Sequence, residues 1–364
     1  MSLTVEQVLG ALAGVKDPAT GRAIVADQVS DVRVGDAGDP AAVGLRIDLI
    51  SPGFPLQGEL EAAVRSALAG IGATPQIAWG LKVPHKPARQ DLNRLPTVKN
   101  ILAVAAGKGG VGKSTVSVNT AMALKQLGAR VAILDADIYG PSVPKMLGTP
   151  ERETTTTASG DRISPALYRG IPVMSVAFFV EPGNAVVWRG PMIHKLLKQF
   201  LEDVEWGEID YLIVDLPPGT GDAQLSLAQL IPLTGSIMVT TPQEVALIDV
   251  RRAVNMFQKL EVPVVGVVEN MSYYVCPACG HHDAIFASGG GKALAKELGV
   301  ELLGQVPIDS RVSFGGEAGV PVVEGAPDSE QAKALTQVAA RAALAISKLS
   351  ATGPKRSSLL RTVT

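Results

Sequence analysis

A glycine-rich stretch that follows an apolar run constrains the fold of this chain more than any other feature. Residues 101–115 read ILAVAAGKGGVGKST, and residues 107–114 fit the pattern G-x-x-x-x-G-K-[ST]. Glycines let backbone N–H groups approach phosphate oxygens, because no Cβ atom intervenes. A helix that begins near Lys113 would direct its positive end at the same phosphates. The stretch therefore predicts a strand, a phosphate-binding loop and a helix in succession.

The residues of this loop have separate predicted roles. We expect Lys113 to reach the β- and γ-phosphates of a bound nucleotide and the Ser114 hydroxyl to bind Mg²⁺. Lys108 is a second lysine in the loop, and two like charges so close together favour a nearby anion. We predict that Lys108 contacts a nucleotide phosphate; a solvated loop lysine is the alternative. The predicted phosphate-binding residues are Gly107, Lys108, Gly109, Gly110, Val111, Gly112, Lys113, Ser114 and Thr115.

Between residues 100 and 350, apolar runs alternate with amphipathic helical patterns. This alternation predicts an α/β fold, a P-loop nucleoside triphosphatase whose mostly parallel sheet is covered by helices on both faces. Strands are predicted over residues 100–105, 130–134, 172–176, 211–214, 235–240 and 263–268, and helices over residues 113–127, 192–203, 223–230, 245–260 and 291–298.

The chain divides into four predicted segments. Residues 1–85 form a small α+β domain, because helical patterns flank two strand-like runs. Residues 86–99 are rich in proline and basic residues and are predicted to be a linker. Residues 100–350 form the P-loop domain, and residues 351–364 are predicted to be a disordered tail. The polar stretch 149–163 is longer than a tight connection needs and receives no role.

Three aspartates follow apolar strands of the P-loop domain. Asp135 and Asp137 follow the run VAIL, and Asp215 ends the run DYLIVD. Because the carboxyl ends of parallel strands meet at one edge of the sheet, all three carboxylates should face the phosphate loop. We predict that Asp135 and Asp215 support Mg²⁺ through water and that Asp137 orients the attacking water. Helix capping or turn formation is the alternative for each aspartate.

The loop sequence GKGGVGKST resembles the deviant phosphate loop of the MinD/ParA-like ATPases, whose signature is a lysine at the second position. In that family the lysine crosses a face-to-face dimer and contacts the partner's nucleotide, so the resemblance implies this role for Lys108. It also implies that Asn270, Pro307 and Asp309 hold the adenine ring. By themselves, these three positions read equally well as ordinary turns at strand ends.

Cys276 and Cys279 are the two cysteines of the chain and form a C-x-x-C pair in the segment VCPACGHHDAIF. The spacing lets two thiolates converge on one metal ion or cluster, but such sites usually take four ligands. A c-type haem does not fit because Gly280 stands where a histidine is required, and GHHD is a poor start for the helix of a redox dithiol. Three interpretations remain: a zinc site with His281 or His282, a pair of inert buried thiols, and a cluster shared by two subunits of a symmetric dimer.

The segment VENMSYYVCPACGHHDAIF, followed by SGGG and PID, resembles the Mrp/ApbC subgroup of iron–sulfur cluster carrier ATPases, and WRGPM, DLPPGTGD and TTPQ match it as well. The resemblance covers about residues 98–345. It implies a homodimer that hydrolyses ATP slowly and holds one 4Fe–4S cluster between Cys276 and Cys279 of both subunits. The partners would be cluster scaffold proteins and apo iron–sulfur proteins. Residues 1–80 resemble the accessory domain that precedes the ATPase in many bacterial members.

Composition and charge exclude several classes of protein. The net charge is −2 and the pI is about 6.1, so no basic field favours nucleic acid or an anionic membrane as a partner. Residues 223–243, the longest uncharged stretch, contain two prolines and do not fit a membrane span. The first ten residues lack the pattern of a signal peptide, and two cysteines do not make a disulfide scaffold, so we expect a cytoplasmic protein.

Two other hypotheses compete with a cluster carrier. A positioning ATPase of the MinD/ParA kind needs a membrane-seeking helix or a basic patch, and the tail PKRSSLLRTVT offers little of either. A zinc-stabilised, nucleotide-dependent scaffold would use the same two cysteines without carrying iron. Metal analysis separates this scaffold from a cluster carrier.

Overall fold

The structure is a computed structural model, and its described residues form two compact units. The first unit comprises the described residues up to Pro84 together with those from Ala343 onward, and the second comprises the described residues between them. The residues that the structure describes are 3–36, 39–85, 95–149, 155–156, 162–179, 190–276, 278–287 and 289–352.

The first unit packs two helices on a three-stranded sheet. Its elements are α1 (Val5–Leu12), β1 (Val29–Asp36), β2 (Asp39–Leu49), α2 (Gln57–Ala69) and β3 (Thr74–Leu81). Strands β1 and β2 are antiparallel, and β3 lies parallel to β2. Leu60, Val64 and Leu68 recur every four residues along α2 and are fully buried in the core with Leu12 of α1. The predicted small α+β domain therefore has a hydrophobic core of its own.

The second unit is built on a nine-stranded sheet. Its elements are β4 (Val98–Ala106), α3 (Lys113–Gln126), β5 (Val131–Asp135), α4 (Val143–Met146), β6 (Thr155–Thr156), β7 (Ile163–Ser164), β8 (Ala166–Tyr168), β9 (Ile171–Ser175), α5 (Gly190–Glu202), β10 (Ile209–Asp215), α6 (Asp222–Leu230), β11 (Gly235–Thr240), α7 (Glu244–Lys259), β12 (Val264–Val275), β13 (His282–Asp283), α8 (Gly290–Leu298), β14 (Glu301–Ile308), α9 (Ser310–Ala318), α10 (Val322–Gly325) and the first part of α11 (Glu330–Thr352). The residues of α11 from Ala343 onward belong to the first unit.

The sheet has the strand order β8-β9-β5-β10-β4-β11-β12-β13, and β14 also pairs with β12. Seven strands of the sheet are parallel to one another, namely β9, β5, β10, β4, β11, β12 and β14. Strands β8 and β13 run antiparallel to their neighbours. Every residue of β5, β10 and β11 is buried, as expected for a sheet with both faces covered. The predicted α/β fold with a mostly parallel sheet is confirmed.

The register of the central strands brings their carboxyl ends to one level. Asp215 at the end of β10 pairs with Asp135 at the end of β5, and also with Val104 near the end of β4. The loops that follow these strands therefore leave the sheet at the same edge. The candidate site lies at this edge.

Each predicted helix of the P-loop domain is present, but several other elements differ from prediction. Strand β12 continues to Val275, well beyond the predicted end at residue 268, because its outer part pairs with β14 and β13. Strands β3 and β13 and helices α9 and α10 were not predicted. Their sequences are short, or they contain glycine and proline, so local patterns do not distinguish them from turns.

The predicted segment boundaries differ from the structure at both ends of the P-loop domain. The sequence placed residues 343–350 with that domain, whereas the structure groups them with the first unit, because Leu344 packs in the core of the small unit. Strand β4 begins at Val98, inside the predicted linker, and α11 extends to Thr352, inside the predicted tail. Most of that linker, the rest of the tail, and the larger part of the stretch 149–163 lie outside the described residues.

Within the described part of the chain, no helix combines the length and the apolar content that crossing a membrane requires.

Candidate functional site

The phosphate loop, residues 107–114, joins the buried strand β4 to helix α3. Gly112 precedes the helix with a φ of 83°, a left-handed conformation that favours glycine. A Cβ atom at Gly112 would collide with the side-chain amide of Asn270, and one at Gly107 would collide with the backbone of Asp249. The fold therefore requires glycine at two positions where the motif has it.

Lys113 lies between two carboxylates at the edge of the sheet. Its Nζ atom is 2.8 Å from Oδ2 of Asp215 and 3.3 Å from Oδ2 of Asp137. Ser114 Oγ donates a hydrogen bond of 2.6 Å to the same oxygen of Asp215. Lys113, Asp137 and Asp215 are all buried. The structure thus brings together four residues that the sequence had placed in one site from three separate segments.

Asp135 is fully buried and accepts hydrogen bonds from three groups around it. These are the backbone N–H of Asp137 at 3.1 Å, the backbone N–H of Val143 at 3.3 Å and the Ser175 hydroxyl at 3.0 Å. Burial is the main reason why the pKa of the Asp135 carboxyl is raised, to about 8, and the negative charge of Asp215 adds to the shift. Asp135 therefore shapes the turn that presents Asp137.

Ser117 is a site residue that the sequence analysis missed. Its hydroxyl donates a hydrogen bond of 2.6 Å to Oδ1 of Asp215, while Ser114 binds the other oxygen. The two serines are three residues apart on α3 and so lie on the same face of the helix. This spacing is the sequence signal that could have identified Ser117. The phosphate-loop motif does not identify it, because the motif ends at Ser114.

The oxygen atoms at this edge suit Mg²⁺. Ser114 Oγ and the Asp215 carboxylate are hard oxygen donors, and Oδ1 of the buried Asp137 has no hydrogen-bond partner among the described residues. No group of three or more His, Cys, Asp or Glu side chains in the described ranges is placed to hold a metal ion alone. The oxygen donors of Ser114 and Asp215 fit Mg²⁺, which is usually held by one or two protein ligands together with substrate phosphates.

A cavity of about 460 Å³ opens beside the phosphate loop. Asn270, Pro307 and Asp309, the three predicted base-binding positions, all line it. Asn270 Nδ2 donates a hydrogen bond of 2.9 Å to the carbonyl of Val111 in the phosphate loop. Asp309 caps α9 by accepting a hydrogen bond from the backbone N–H of Arg311. The three positions thus converge on one cavity, which we call the base cavity.

The base cavity has apolar walls that the sequence analysis did not identify. Met146, Met271 and Val312 line it, and Val312 belongs to the unpredicted helix α9. Flexible thioether side chains adapt well to a flat ring.

Lys108 is half-buried in the phosphate loop and has no ion pair with any described residue. Its predicted contact with a phosphate stays a prediction.

Strand β12 extends from the base cavity to the cysteines. It carries Asn270 and ends at Val275, directly before Cys276. The chain then turns back into β13, and the backbone N–H of Cys276 donates a hydrogen bond of 2.9 Å to the carbonyl of His281. We call residues 276–289, between β12 and α8, the cysteine loop.

Both cysteines are free thiols at the tip of the cysteine loop. Cys276 is half-buried and Cys279 is exposed, so they are not the inert buried pair that was one interpretation. The pKa of the Cys276 thiol is lowered, because the backbone N–H groups of Ala278 and Cys279 donate hydrogen bonds to its sulfur. His282 stacks on the ring of Tyr273, with centroids 5.1 Å apart. The described part of one chain therefore places two free sulfurs in one loop, and the Cys276 sulfur favours the thiolate form.

Two family models match this chain. Residues 97–343 match the model described as NUBPL iron-transfer P-loop NTPase, and residues 5–76 match the model described as iron–sulfur cluster assembly protein. The iron–sulfur cluster carrier protein of Synechocystis sp. is 43% identical over 345 residues, which cover 93% of this chain and 96% of that protein. The protein of the same name from Deinococcus radiodurans is 47% identical over 337 residues, which cover 92% and 93%.

Solved structures show the same fold. A nucleotide-binding protein from Archaeoglobus fulgidus in complex with ADP, with cobalt found in it, superimposes with a TM-score of 0.56 at 38% identity and covers 62% of this chain and 88% of its own. The cell-division ATPase MinD of Pyrococcus furiosus has a TM-score of 0.50 at 22% identity, over 66% of this chain and 97% of its own. The second likeness concerns the fold alone.

Proposed function

The chain belongs to the NUBPL iron-transfer P-loop NTPase family, and from this premise we propose that it is an ATP-hydrolysing carrier of iron–sulfur clusters. The observation that carries the proposal is the course of strand β12. This one strand carries Asn270 at the base cavity and ends directly before Cys276. The proposed nucleotide site and the proposed cluster ligands therefore lie on one strand and directly after it, which suits a nucleotide-dependent carrier.

In the proposed reaction, the phosphate loop binds ATP and the γ-phosphate is transferred to water. Backbone N–H groups of the loop and the Lys113 ammonium bind the phosphate oxygens, where negative charge increases in the transition state. Ser114 would hold Mg²⁺ directly and Asp135 and Asp215 would hold it through water, and the ion would neutralise further phosphate charge. Ser117 holds the Asp215 carboxylate in place by its hydrogen bond to Oδ1.

Asp137 orients the attacking water in this proposal. Its Oδ2 atom faces Lys113, while its buried Oδ1 atom has no hydrogen-bond partner in the described ranges and is available to accept a hydrogen bond from water. Burial raises the pKa of the Asp137 carboxyl, whereas the charge of Lys113 opposes this shift. Positioning of the water is the main task left to the protein, because phosphoryl transfer needs little covalent chemistry from side chains.

The cluster is the cargo of the carrier and is proposed to lie between two subunits. Each subunit contributes Cys276 and Cys279, which gives the four sulfurs that a 4Fe–4S cluster usually takes. Two large apolar side chains of the cysteine loop, Ile285 and Phe286, are 52% and 40% exposed. Such side chains suit a face that a protein partner covers. In the same dimer, Lys108 is proposed to contact the nucleotide of the partner subunit.

The proposed partners are proteins that deliver or receive clusters. Scaffold proteins would supply the cluster, and apo iron–sulfur proteins would accept it, in the cytoplasm. The small first unit is proposed to act as the accessory domain, since it matches the iron–sulfur cluster assembly model. It contains no cysteine, so we assign it no cluster ligand.

Metal analysis after anaerobic purification tests this function. We expect iron and sulfide in equal amounts and little zinc, because Cys276 and Cys279 of two subunits together can complete a cluster across a dimer. The metal should be lost in air, since exposed clusters oxidise. Zinc that persists in air, with no sulfide, would contradict the carrier and support the zinc-stabilised scaffold.

A further inference from the structure

A buried carboxylate lies where the base cavity and the two ends of the cysteine loop meet. Glu269 is fully buried near the middle of β12. Its Oε1 atom accepts hydrogen bonds from Ser272 Oγ at 2.5 Å and from Gln305 Nε2 at 2.7 Å. Its Oε2 atom accepts a hydrogen bond from the backbone N–H of Gly291. No reaction step described above uses this group.

The three donors belong to the segments that form the nucleotide and cysteine sites. Gln305 is the cross-strand partner of Glu269 on β14, just before Pro307 of the base cavity. Ser272 lies on the part of β12 that leads to Cys276. Gly291 is in the first turn of α8, where the chain leaves the cysteine loop. Glu269 therefore ties one wall of the base cavity to both ends of the cysteine loop.

A carboxylate accepts all three of these hydrogen bonds at once. The hydroxyl of Ser272, the side-chain amide of Gln305 and the backbone N–H of Gly291 all point hydrogens at Glu269. A carboxylate offers two acceptor oxygens and no competing donor, whereas a glutamine would turn an NH₂ group toward at least one of the three. In a fully buried position water cannot relieve such a contact, so the Ser272 hydroxyl and the Gln305 amide would have to rotate and the network would rearrange.

Strand β12 is irregular between Glu269 and the cysteines. Met271 has a φ of 55°, a left-handed conformation that is unfavourable for this residue type, and the pairing with β14 shifts between Asn270 and Tyr274. The Met271 side chain lines the base cavity, next to Asn270. The bond from Ser272 to Glu269 spans this irregularity. A change in the backbone at Met271 would therefore displace the strand that leads to Cys276.

We propose that Glu269 is a positioning residue that couples occupancy of the base cavity to the geometry of the cysteine pair. This inference rests on the proposed function, because it joins the proposed nucleotide site to the proposed cargo site. A nucleotide base that contacts Asn270 and Met271 shifts the segments that the carboxylate holds together, and the shift reaches both ends of the cysteine loop. The effect is reciprocal, so cargo at the cysteines alters nucleotide affinity by the same factor.

The reactivity of the two thiols in the cluster-free protein measures this coupling. Reduced protein is treated anaerobically with iodoacetamide, without nucleotide and with a non-hydrolysable ATP analogue, and mass spectrometry follows alkylation of Cys276 and Cys279. In the wild type we expect the analogue to change the rate by about fivefold or more. In Glu269→Gln the two rates should agree within about twofold, although the analogue still binds, because the phosphate loop is unchanged.

Two further variants complete the experiment. Glu301→Gln removes an exposed carboxylate from β14 and should keep the full nucleotide effect. Gly291→Ala keeps the Glu269 carboxylate but puts a methyl group 2.8 Å from its Cβ and 2.9 Å from Oε2, so Glu269 must shift and the effect should also be abolished. The higher helix propensity of alanine offsets part of this strain, so the variant supplies the test if Glu269→Gln does not fold. All proteins are compared in the same oligomeric state, which analytical ultracentrifugation verifies.

Two results would overturn the coupling role of Glu269. One is a wild-type protein whose thiols react at the same rate with and without bound nucleotide. The other is a folded Glu269→Gln or Gly291→Ala protein that keeps the full nucleotide effect. The assay contains no cluster, so a protein that shows the coupling but never binds iron would refute the carrier function and leave the role of Glu269 intact.

Discussion

Replacement of Cys276 by serine should abolish cluster binding and leave nucleotide binding intact. In a site shared by two subunits, the substitution removes two of the four sulfurs at once, and a serine hydroxyl does not replace a thiolate as a cluster ligand. The affinity for the cluster should fall by about 100-fold or more. Even the loss of a residue that merely supports a metal ligand can lower metal affinity by about 100-fold. Iron and sulfide are measured after anaerobic reconstitution, and nucleotide binding is measured with a fluorescent ATP analogue.

Because of the position of the cysteines, this variant should affect cluster binding without affecting the fold. Cys276 and Cys279 lie at the tip of the cysteine loop, outside both hydrophobic cores, so thermal stability should change little. Cys279→Ser should behave in the same way. His281→Ala is the matched control, because this exposed side chain lies in the same loop and was a candidate zinc ligand. If Cys276→Ser kept the wild-type iron content, or if His281→Ala lost it, the proposed four-sulfur site would be wrong.

Lys113→Ala should lower ATP turnover by about 10²–10³-fold, the usual loss when one preorganised group that stabilises transition-state charge is removed. Lys113 is also the buried cation between Asp137 and Asp215. Its loss leaves two buried carboxylates without their ion pair, so the melting temperature should fall as well. Phosphate release gives the turnover, and thermal unfolding gives the stability.

Two variants separate the loss of turnover from the loss of stability. Lys113→Arg keeps the positive charge beside Asp215, so it should recover most of the stability but not the turnover, since a planar guanidinium does not replace an ammonium between tightly packed groups. Lys125→Ala, near the end of the same helix, should leave both quantities near the wild-type values. Turnover of Lys113→Ala within about threefold of the wild type would contradict the role given to this lysine.

The phosphate loop and the central sheet were predictable because their signals are local. Gly107 and Gly112 mark close backbone approaches within one short loop, and the strands before Asp135 and Asp215 are continuous apolar runs. The carboxyl-end rule then places the aspartates at the edge where the structure has them. The family resemblance that these residues suggested is confirmed by the matches to both family models.

The parts that were missed depend on contacts between distant segments. Ser117 and Glu269 have partners far along the chain. The local signal for Ser117 is its three-residue spacing from Ser114, and the residues next to Glu269 give none. Helix α9 reads SRVSFGGEA, in which two glycines disrupt the helical pattern, yet it supplies Val312 to the base cavity. The sequence of the outer part of β12 is typical of a loop, and in the structure this part is a strand because β14 pairs with it. Tertiary pairing decides each of these elements.

Native mass spectrometry of the anaerobically reconstituted protein shows whether two subunits share one cluster. With a non-hydrolysable ATP analogue present, we expect a species of two chains with two nucleotides and a single 4Fe–4S cluster, and Cys276→Ser should remove that cluster. One cluster per chain, or a cluster that stays bound to a monomer, would contradict the sharing of one cargo between two cysteine pairs.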